Sequence, residues 1–157
     1  MTELVKGLGI LRWGASREEI LRQVPHARLR AEVKGRNPAT GAPFVIPEGL
    51  EIPDFVEPKP GVRVKASLEF ECGRLSCISL ATKCHSALSE DPALLRVTEQ
   101  LVRQEAELVA AYLHVGPVRE DQAVQGWHVD GIDVTLYIDC DDFEFELSLA
   151  DDERLTG

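Results

Sequence analysis

Apolar and polar residues alternate strictly in two consecutive runs late in the sequence. The first run covers residues 132–139 and the second covers residues 143–149, with Cys140-Asp141-Asp142 between them. Strict alternation is typical of a β-strand that buries one face and exposes the other. The two runs therefore predict a β-hairpin. Its inner face would consist of Ile132, Val134, Leu136, Ile138, Phe143, Phe145, Leu147 and Leu149.

A second pair of strands is predicted in the middle of the chain. Residues 62–70 place apolar side chains at even positions, and residues 75–82 form the return strand after a turn at 71–74. Strands that follow each other through so short a turn pair in the antiparallel direction. The two halves of the chain thus each contribute one antiparallel strand pair.

Two helices are predicted. The first follows Ser16, which has the spacing of a capping box with Glu19. The second covers residues 92–114 and begins with Asp91-Pro92, a capping acid followed by a residue suited to the first helical position. We expect one apolar stripe of this helix to pack on the sheet: Leu95, Leu101, Val102, Leu108 and Val109. On that expectation, Leu101→Ala would cost roughly 2–5 kcal/mol of stability.

The segment 34–61 interrupts these regular patterns. It holds six of the nine prolines and four glycines. Proline removes a backbone donor and fixes φ, so we predict no regular central element here. Apolar residues such as Phe44, Ile46 and Phe55 argue against a free linker. We therefore expect a long, ordered, Pro-rich loop that lies on the body of the protein.

The order of these elements predicts the fold class. Strands occur in antiparallel pairs rather than as βαβ repeats, which indicates an α+β fold. We expect a single antiparallel sheet, built from strand pairs, packed against one long and one short helix. A chain of 157 residues is most simply a single domain, here residues 1–157.

Most of the net charge of −10 falls on one segment. Residues 130–157 carry ten of the 27 acids and a single base, so that segment is about −9 by formal count. On the predicted hairpin, six of these acids form the outer face and the turn. They are the candidate partner-binding residues: Asp133, Asp139, Asp141, Asp142, Glu144 and Glu146. Two explanations remain open: a surface that binds a cationic protein, or charges that prevent an edge hairpin from pairing with other sheets.

The sequence lacks the spacings of common catalytic and metal sites. Cys72, Cys77 and Cys84 have four and six intervening residues, and Cys77 lies in the middle of a predicted strand rather than on the tight knuckle of a structural zinc site. The adjacent side chains of Cys84 and His85 would point apart on an extended segment. We predict no catalytic residue, no metal, no cofactor and no enzymatic activity. The acidic charge disfavours nucleic acid and anionic membranes as partners. With no export signal recognisable in the sequence, we expect a cytoplasmic location.

The run from Gly9 to Ile20, GILRWGASREEI, followed by sheet pairs and a long helix, resembles small bacterial domains. Several such domains are immunity proteins that accompany secreted toxins, and the arrangement is also similar to beta-lactamase inhibitory proteins. The resemblance implies a non-catalytic, cytoplasmic binding protein that neutralises a cognate toxin. The acidic surface favours a basic toxin, with nucleases as one target class, and the chain is expected to be a monomer or a homodimer. The alternative is a small enzyme or ligand-binding domain with a site under the Pro-rich loop.

Overall fold

A computed structural model describes residues 11–60, 62–82, 92–139 and 142–149, with the side chains of 58, 59, 62 and 92–98 left out. Two helices lie within these ranges: α1, Arg17–Gln23, and α2, Pro92–Tyr112. The strands are β1 Arg28–Arg30, β2 Val33–Arg36, β3 Pro43–Ile46, β4 Gly49–Lys59, β5 Val62–Glu71, β6 Arg74–Thr82, β7 Val124–Val129, β8 Ile132–Ile138 and β9 Phe143–Leu149. No described helix is both long and apolar enough to cross a membrane.

Seven strands form one sheet in the order β1-β4-β5-β6-β9-β8-β7, and β2 pairs with β3 separately. Every pairing between these strands is antiparallel. The predicted α+β class with antiparallel strand pairs is therefore correct. The expectation of a single sheet is wrong in one respect, because the β2–β3 pair stands apart from the seven strands.

The predicted C-terminal hairpin is present as β8 and β9. Seven of the eight inner-face side chains are buried, and Leu149 is half-buried. The position of this hairpin was not foreseen, since β9 lies between β6 and β8 and β8 lies between β9 and β7. The hairpin therefore occupies the interior of the sheet and not its edge.

Two tight turns join strands of the main sheet. Cys72 and Gly73 connect β5 to β6 with φ values of 52° and 76°, and Asp130 and Gly131 connect β7 to β8 with 52° and 78°. Positive φ at both central residues is the requirement of the type I′ turn, whose twist matches that of paired strands. The first turn confirms the strand pair that was predicted between residues 62 and 82.

The helix α1 forms as its sequence predicts. The Ser16 side-chain oxygen accepts a hydrogen bond from the backbone N–H of Glu19 at 3.2 Å, which satisfies one donor of the first turn. Ile20 and Val24 are buried in the same core as the inner face of the sheet. A helix of seven residues has little stability alone, so this packing holds it in place.

The helix α2 packs on the sheet through a stripe that shares Val102 and Val109 with the predicted one but not Leu101 or Leu108. Leu101 and Leu108 are each 38% exposed, whereas their neighbours Val102 and Val109 are fully buried. The buried stripe follows the i, i+4, i+7, i+8, i+11 spacing of one helix face: Val102, Ala106, Val109, Ala110 and Leu113. The prediction for Leu101→Ala was therefore too large, because a half-exposed side chain leaves no buried cavity. The side chain of Leu95 lies outside the described residues.

The prediction of an irregular loop over 34–61 is wrong, because strands occupy most of that segment. The prolines are accommodated where the ladder does not need their donors. Between Ile52 and Val56, β4 uses four residues where β5 uses two, and Pro53 lies in this bulge. Pro58 lies in the second register shift of β4. Pro43 is the first residue of β3, another position where proline is tolerated.

The β2–β3 pair continues the β1–β4 ladder beyond the sheet. Arg30 pairs with Gly49 and Val33 pairs with Ile46, so the register stays constant across the interruption. Residues 28–51 thus form one long hairpin whose distal half, residues 33–46, leaves the seven-stranded sheet. We call residues 33–46 the arm.

Candidate functional site

One face of the sheet carries the core and both helices, and none of the helices or strands that the structure describes covers the other face, which we call the outer face. Rows of neighbouring residues run across this outer face from strand to strand. One row consists of Glu51, Ser67, Ser79, Glu146 and Thr135. Small and polar side chains predominate, so the outer face is hydrophilic. Its longer charged side chains extend beyond the short serine and threonine side chains.

The charges on the outer face are arranged differently in its two halves. In the β4–β5 half, Lys65 Nζ lies 3.1 Å from Glu51 Oε1, and Arg30 Nη2 lies 3.7 Å from Glu69 Oε1. In the β9 half, Glu144 and Glu146 project from alternate positions of one strand. Neither carboxylate forms an ion pair with another described residue. The outer face is therefore electrically balanced on one side and negative on the other.

The hairpin turn extends the negative half. Asp139 is exposed, and its backbone N–H donates to the carbonyl of Asp142 at 3.0 Å. This turn adjoins Glu144, which pairs across the ladder with Tyr137. We call Asp139, Asp142, Glu144 and Glu146 the acidic patch.

The acidic patch has an electrostatic cost that shows in Glu146. Partial burial raises the pKa of its carboxyl, and the neighbouring charges of Glu144 and Glu69 raise it further. Each of these causes penalises the ionised form. The fold thus holds at least three carboxylates close together although like charges repel.

The same carboxylates surround a thiol. Cys77 lies in β6, next to Glu69 in the ladder, and its pKa is raised to about 12 by burial and then by Glu69, Glu146 and Glu144. The thiolate is the nucleophilic form of cysteine. Cys77 therefore remains a neutral thiol at physiological pH, which is unsuitable for nucleophilic catalysis.

Only part of the predicted set of six acids comes together. Asp133 lies at the other end of β8, where its carboxylate is 2.7 Å from Nδ1 of His128. Its ladder partner is Ser148, four residues from Glu144, or about 13 Å along the strand. Asp133 is thus separated from the acidic patch, and Asp141 lies outside the described residues.

An aromatic residue beside the acidic patch was missed. Tyr137 is directly opposite Glu144 in the ladder and 43% exposed, and Val124 follows it in the same row with 57% exposure. The signal was available, because Tyr137 shares its alternation parity with Asp133 and Asp139. Attention to charge alone left it out.

A shallow depression of about 420 Å³ adjoins the patch on the outer face. Its floor is formed by Ser67, Ser79 and Ala81, and its opposite walls include Lys65 and Glu144. Small floor residues allow a partner side chain to approach the sheet closely. The arrangement suits contact with another macromolecule more than enclosure of a small ligand, because the depression is open to solvent.

Within the described ranges, no three His, Cys, Asp or Glu side chains are placed to hold a metal ion. Cys72 is exposed in the β5–β6 turn, while Cys84, His85 and Cys140 lie outside the described residues. That the chain takes no metal or cofactor and is not an enzyme stays a prediction.

The chain matches no protein-family model, no curated protein and no solved structure. The resemblance to immunity proteins stays a prediction from residues 9–20 and the order of elements.

Proposed function

We propose that this chain is a non-catalytic binding protein whose acidic patch binds a basic partner protein, in the manner of an immunity protein that neutralises a toxin. The observation that carries the proposal is the position of Glu144 and Glu146. These two carboxylates project from an interior strand, and neither forms an ion pair with a described base, although Lys65 and Arg63 line the same depression as Glu144. Nothing in the proposal requires a cofactor.

The interior position removes the simplest structural explanation for the acids. Charges on edge strands prevent sheets from joining edge to edge. Both edges of β9 are already paired, with β6 and with β8. The acids of β9 therefore have no edge to protect, and their mutual repulsion favours a role in binding.

The surroundings of Glu144 suit an arginine or lysine side chain from the partner. Its carboxylate would accept hydrogen bonds from a guanidinium, and the exposed ring of Tyr137 offers an aromatic face to the same cation. Tyrosine and arginine are enriched among the residues that dominate binding energy at protein interfaces. Opposite charge would also accelerate the encounter, which suits an inhibitor that must act quickly.

A basic nuclease toxin is the target class that fits this surface best. The active sites of nucleases are built to bind polyanions, and a cluster of carboxylates is attracted by the same positive field. The alternative of a site under a Pro-rich loop loses its premise, because strands occupy residues 33–36, 43–46 and 49–59.

The test is a kinetic binding series with the partner captured by affinity pulldown from the native host. The double variant Glu144→Lys/Glu146→Lys should slow association strongly at low salt, and the difference should shrink at high salt as the charges are screened. The matched control is Glu99→Lys/Glu107→Lys, which changes the net charge equally on exposed positions of α2. If both double variants slowed association equally, the effect would come from the net charge of the chain and not from the acidic patch. If neither variant changed the association rate, the proposal would be refuted.

A further inference from the structure

The strand β7 forms one edge of the seven-stranded sheet, and it carries none of the features that normally protect an edge. Its six residues, VQGWHV, include no proline, no acid, no lysine and no arginine. An open edge presents unpaired backbone donors and acceptors, and proteins usually protect it with prolines, charges or bulges. A neutral edge without these features is able to accept another strand.

The other open edges of the described strands are protected. Beyond its pairing with β1, β4 contains Pro53, Pro58 and two register shifts. The edge strand β1 has three residues, of which Arg28 and Arg30 are bases. In the arm, two of the four residues of β2 are bases, and β3 begins with Pro43. This difference leaves β7 as the edge through which a strand can be added, so pairing would be restricted to a single edge of each chain.

The backbone groups of β7 that face away from β8 belong to alternate residues. The backbone N–H of Ile138 donates to the carbonyl of Ala123 at 2.8 Å. Hydrogen-bonded pairs alternate along an antiparallel ladder, so the odd residues of β7 bond to β8 and the even residues direct their backbone groups outward. The outward residues are Val124, Gly126 and His128, and all three are exposed. Within the described part of the chain, no backbone hydrogen bond reaches these outward groups.

The segment between α2 and β7 contacts the inner side of the strand. The Gln125 side chain donates to the carbonyl of Pro117 and accepts from the N–H of Arg119, both at 2.9 Å. By alternation, Gln125 lies on the same side of β7 as Trp127, which packs against the core. The contact therefore leaves the outward backbone groups accessible.

Gly126 lies at the centre of the outward set. Among the described atoms outside its chain neighbours, a Cβ at Gly126 would meet the carbonyl oxygen of Val134 at 3.8 Å, which is an ordinary contact. The chain's own packing therefore has room for a side chain here, although glycine weakens the interior of a strand. Such a glycine often marks a place where another backbone approaches closely.

We infer that β7 pairs in the antiparallel direction with β7 of a second copy, with Gly126 opposite Gly126 on a two-fold axis. Val124 then lies opposite His128 of the second copy, so every outward residue has a partner and each facing pair exchanges two hydrogen bonds. A shift by two residues would leave one outward residue of each strand without a partner. In this register, no side chain meets its own copy at the axis, and the two seven-stranded sheets become continuous.

The pairing covers apolar surface without bringing acids together. Val124 and Tyr137 are neighbours in one row and are 57% and 43% exposed, and His128 of the second copy would extend that row. The β9 strands of the two copies would lie five strand spacings apart, or about 24 Å, which exceeds the screening length of about 8 Å. The dimer therefore leaves the acidic patch free, and the inference goes beyond the proposed function.

Charges at the two facing positions test this register, with sedimentation equilibrium of the full chain as the readout. Residues 124 and 128 of one chain are about 13 Å apart along the strand, so a close charge pair between them forms only across the interface. Val124→Lys/His128→Lys would oppose lysine to lysine and should weaken dimerisation by about tenfold or more. Val124→Glu/His128→Lys, which differs only at residue 124, would oppose glutamate to lysine and should dimerise at least as tightly as wild type.

Both variants keep a base beside Asp133, whose carboxylate is 2.7 Å from His128 in the wild type, and thermal melts would check that both are folded. Because a single strand pair makes a small interface, wild type should dissociate on dilution. A wild type that stays monomeric up to about 1 mM would overturn the inference. Equal dimer affinities of the two folded variants would also overturn it, since the charges would then not face each other.

The acidic patch provides the control that separates this inference from the proposed function. Glu144→Lys/Glu146→Lys should leave the dimer intact, because β9 is two strands away from the edge. If this variant abolished the dimer, another surface would form the interface and the inference would be overturned. Loss of the dimer with intact binding of a basic protein would leave the proposed function standing.

Discussion

The C-terminal hairpin and the arm are both antiparallel hairpins with aromatic residues, yet they relate differently to the core. In β8–β9 the apolar face is covered by the helices and both strands have neighbours on each side. In the arm, neither strand has a neighbour beyond its partner among the strands that the structure describes, and β3 is exposed along its whole length. The comparison teaches that the stability of a hairpin depends on what covers its apolar face, and that the ladder alone contributes little.

The largest expected effect comes from truncating the same residue type in each hairpin. Phe145 is fully buried, with its ring centroid 5.8 Å from that of Phe143 and 6.4 Å from that of Trp127. Phe145→Ala should lower the free energy of unfolding by about 3–5 kcal/mol. Phe44→Ala, measured by denaturant melts in dilute solution, should change it by about 0.5 kcal/mol or less. A large effect of Phe44→Ala at high dilution would mean that the arm packs within its own chain.

A smaller effect is expected from replacing either of two glycines by alanine, one in a turn of the main sheet and one at the tip of the arm. Gly73 in the β5–β6 turn and Gly41 at the arm tip have φ values of 76° and 71°, and a Cβ on either would meet nothing within 4 Å. Alanine in this region of φ is strained, so Gly73→Ala should cost about 1 kcal/mol. Gly41→Ala should leave global unfolding unchanged, because the arm can open locally without the sheet. Equal costs in thermal melts would show that the arm and the sheet unfold as one unit.

The smallest effect concerns Glu146 and the pH dependence of stability. Its pKa is raised in the folded state, first by burial and then by Glu144 and Glu69, so the folded state holds this proton more tightly than the unfolded state. The contribution of Glu146 to stability is therefore greatest below the ordinary carboxyl pKa and declines as pH rises through the folded pKa of Glu146. Glu146→Gln should be more stable than wild type at neutral pH and equal to it in acid. Glu107→Gln, on exposed α2, is the control for loss of one charge, and an identical pH profile there would refute the local cause.

Much of the sheet could be predicted because its strands obey simple rules. The alternation of β8 and β9, the turn at Cys72 and Gly73, and the cap at Ser16 are local signals that the fold preserves. The buried stripe of α2 was misjudged because Leu101 and Val102 are only about 100° apart on a helix, and their sequence does not say which one faces the sheet. Ala106 and Ala110 lie on the buried face, and alanine gives only a weak apolar signal in a sequence.

The arm and the position of the acids could not be predicted for different reasons. Prolines normally exclude central strands, but the bulges of β4 absorb Pro53 and Pro58, and bulges have no clear signature in one sequence. The order of strands in a sheet is likewise a long-range property. Because β9 lies beside β6 and not at an edge of the sheet, Glu144 and Glu146 are not edge-protecting charges.

The β6–β9 ladder has a further consequence for how the protein folds. It joins Thr82 to Phe143 and Cys77 to Ser148, pairs separated by 61 and 71 residues, whereas the other ladders of the sheet form between strands close in sequence. Closing so long a loop costs entropy before any contact repays it, so this ladder should be the slow step of assembly. During synthesis, β4, β5 and β6 are complete long before β9 exists, which leaves β6 as an unpaired apolar edge. That interval is when the chain is most exposed to aggregation, and a chaperone that shields β6 would raise the yield of folded protein.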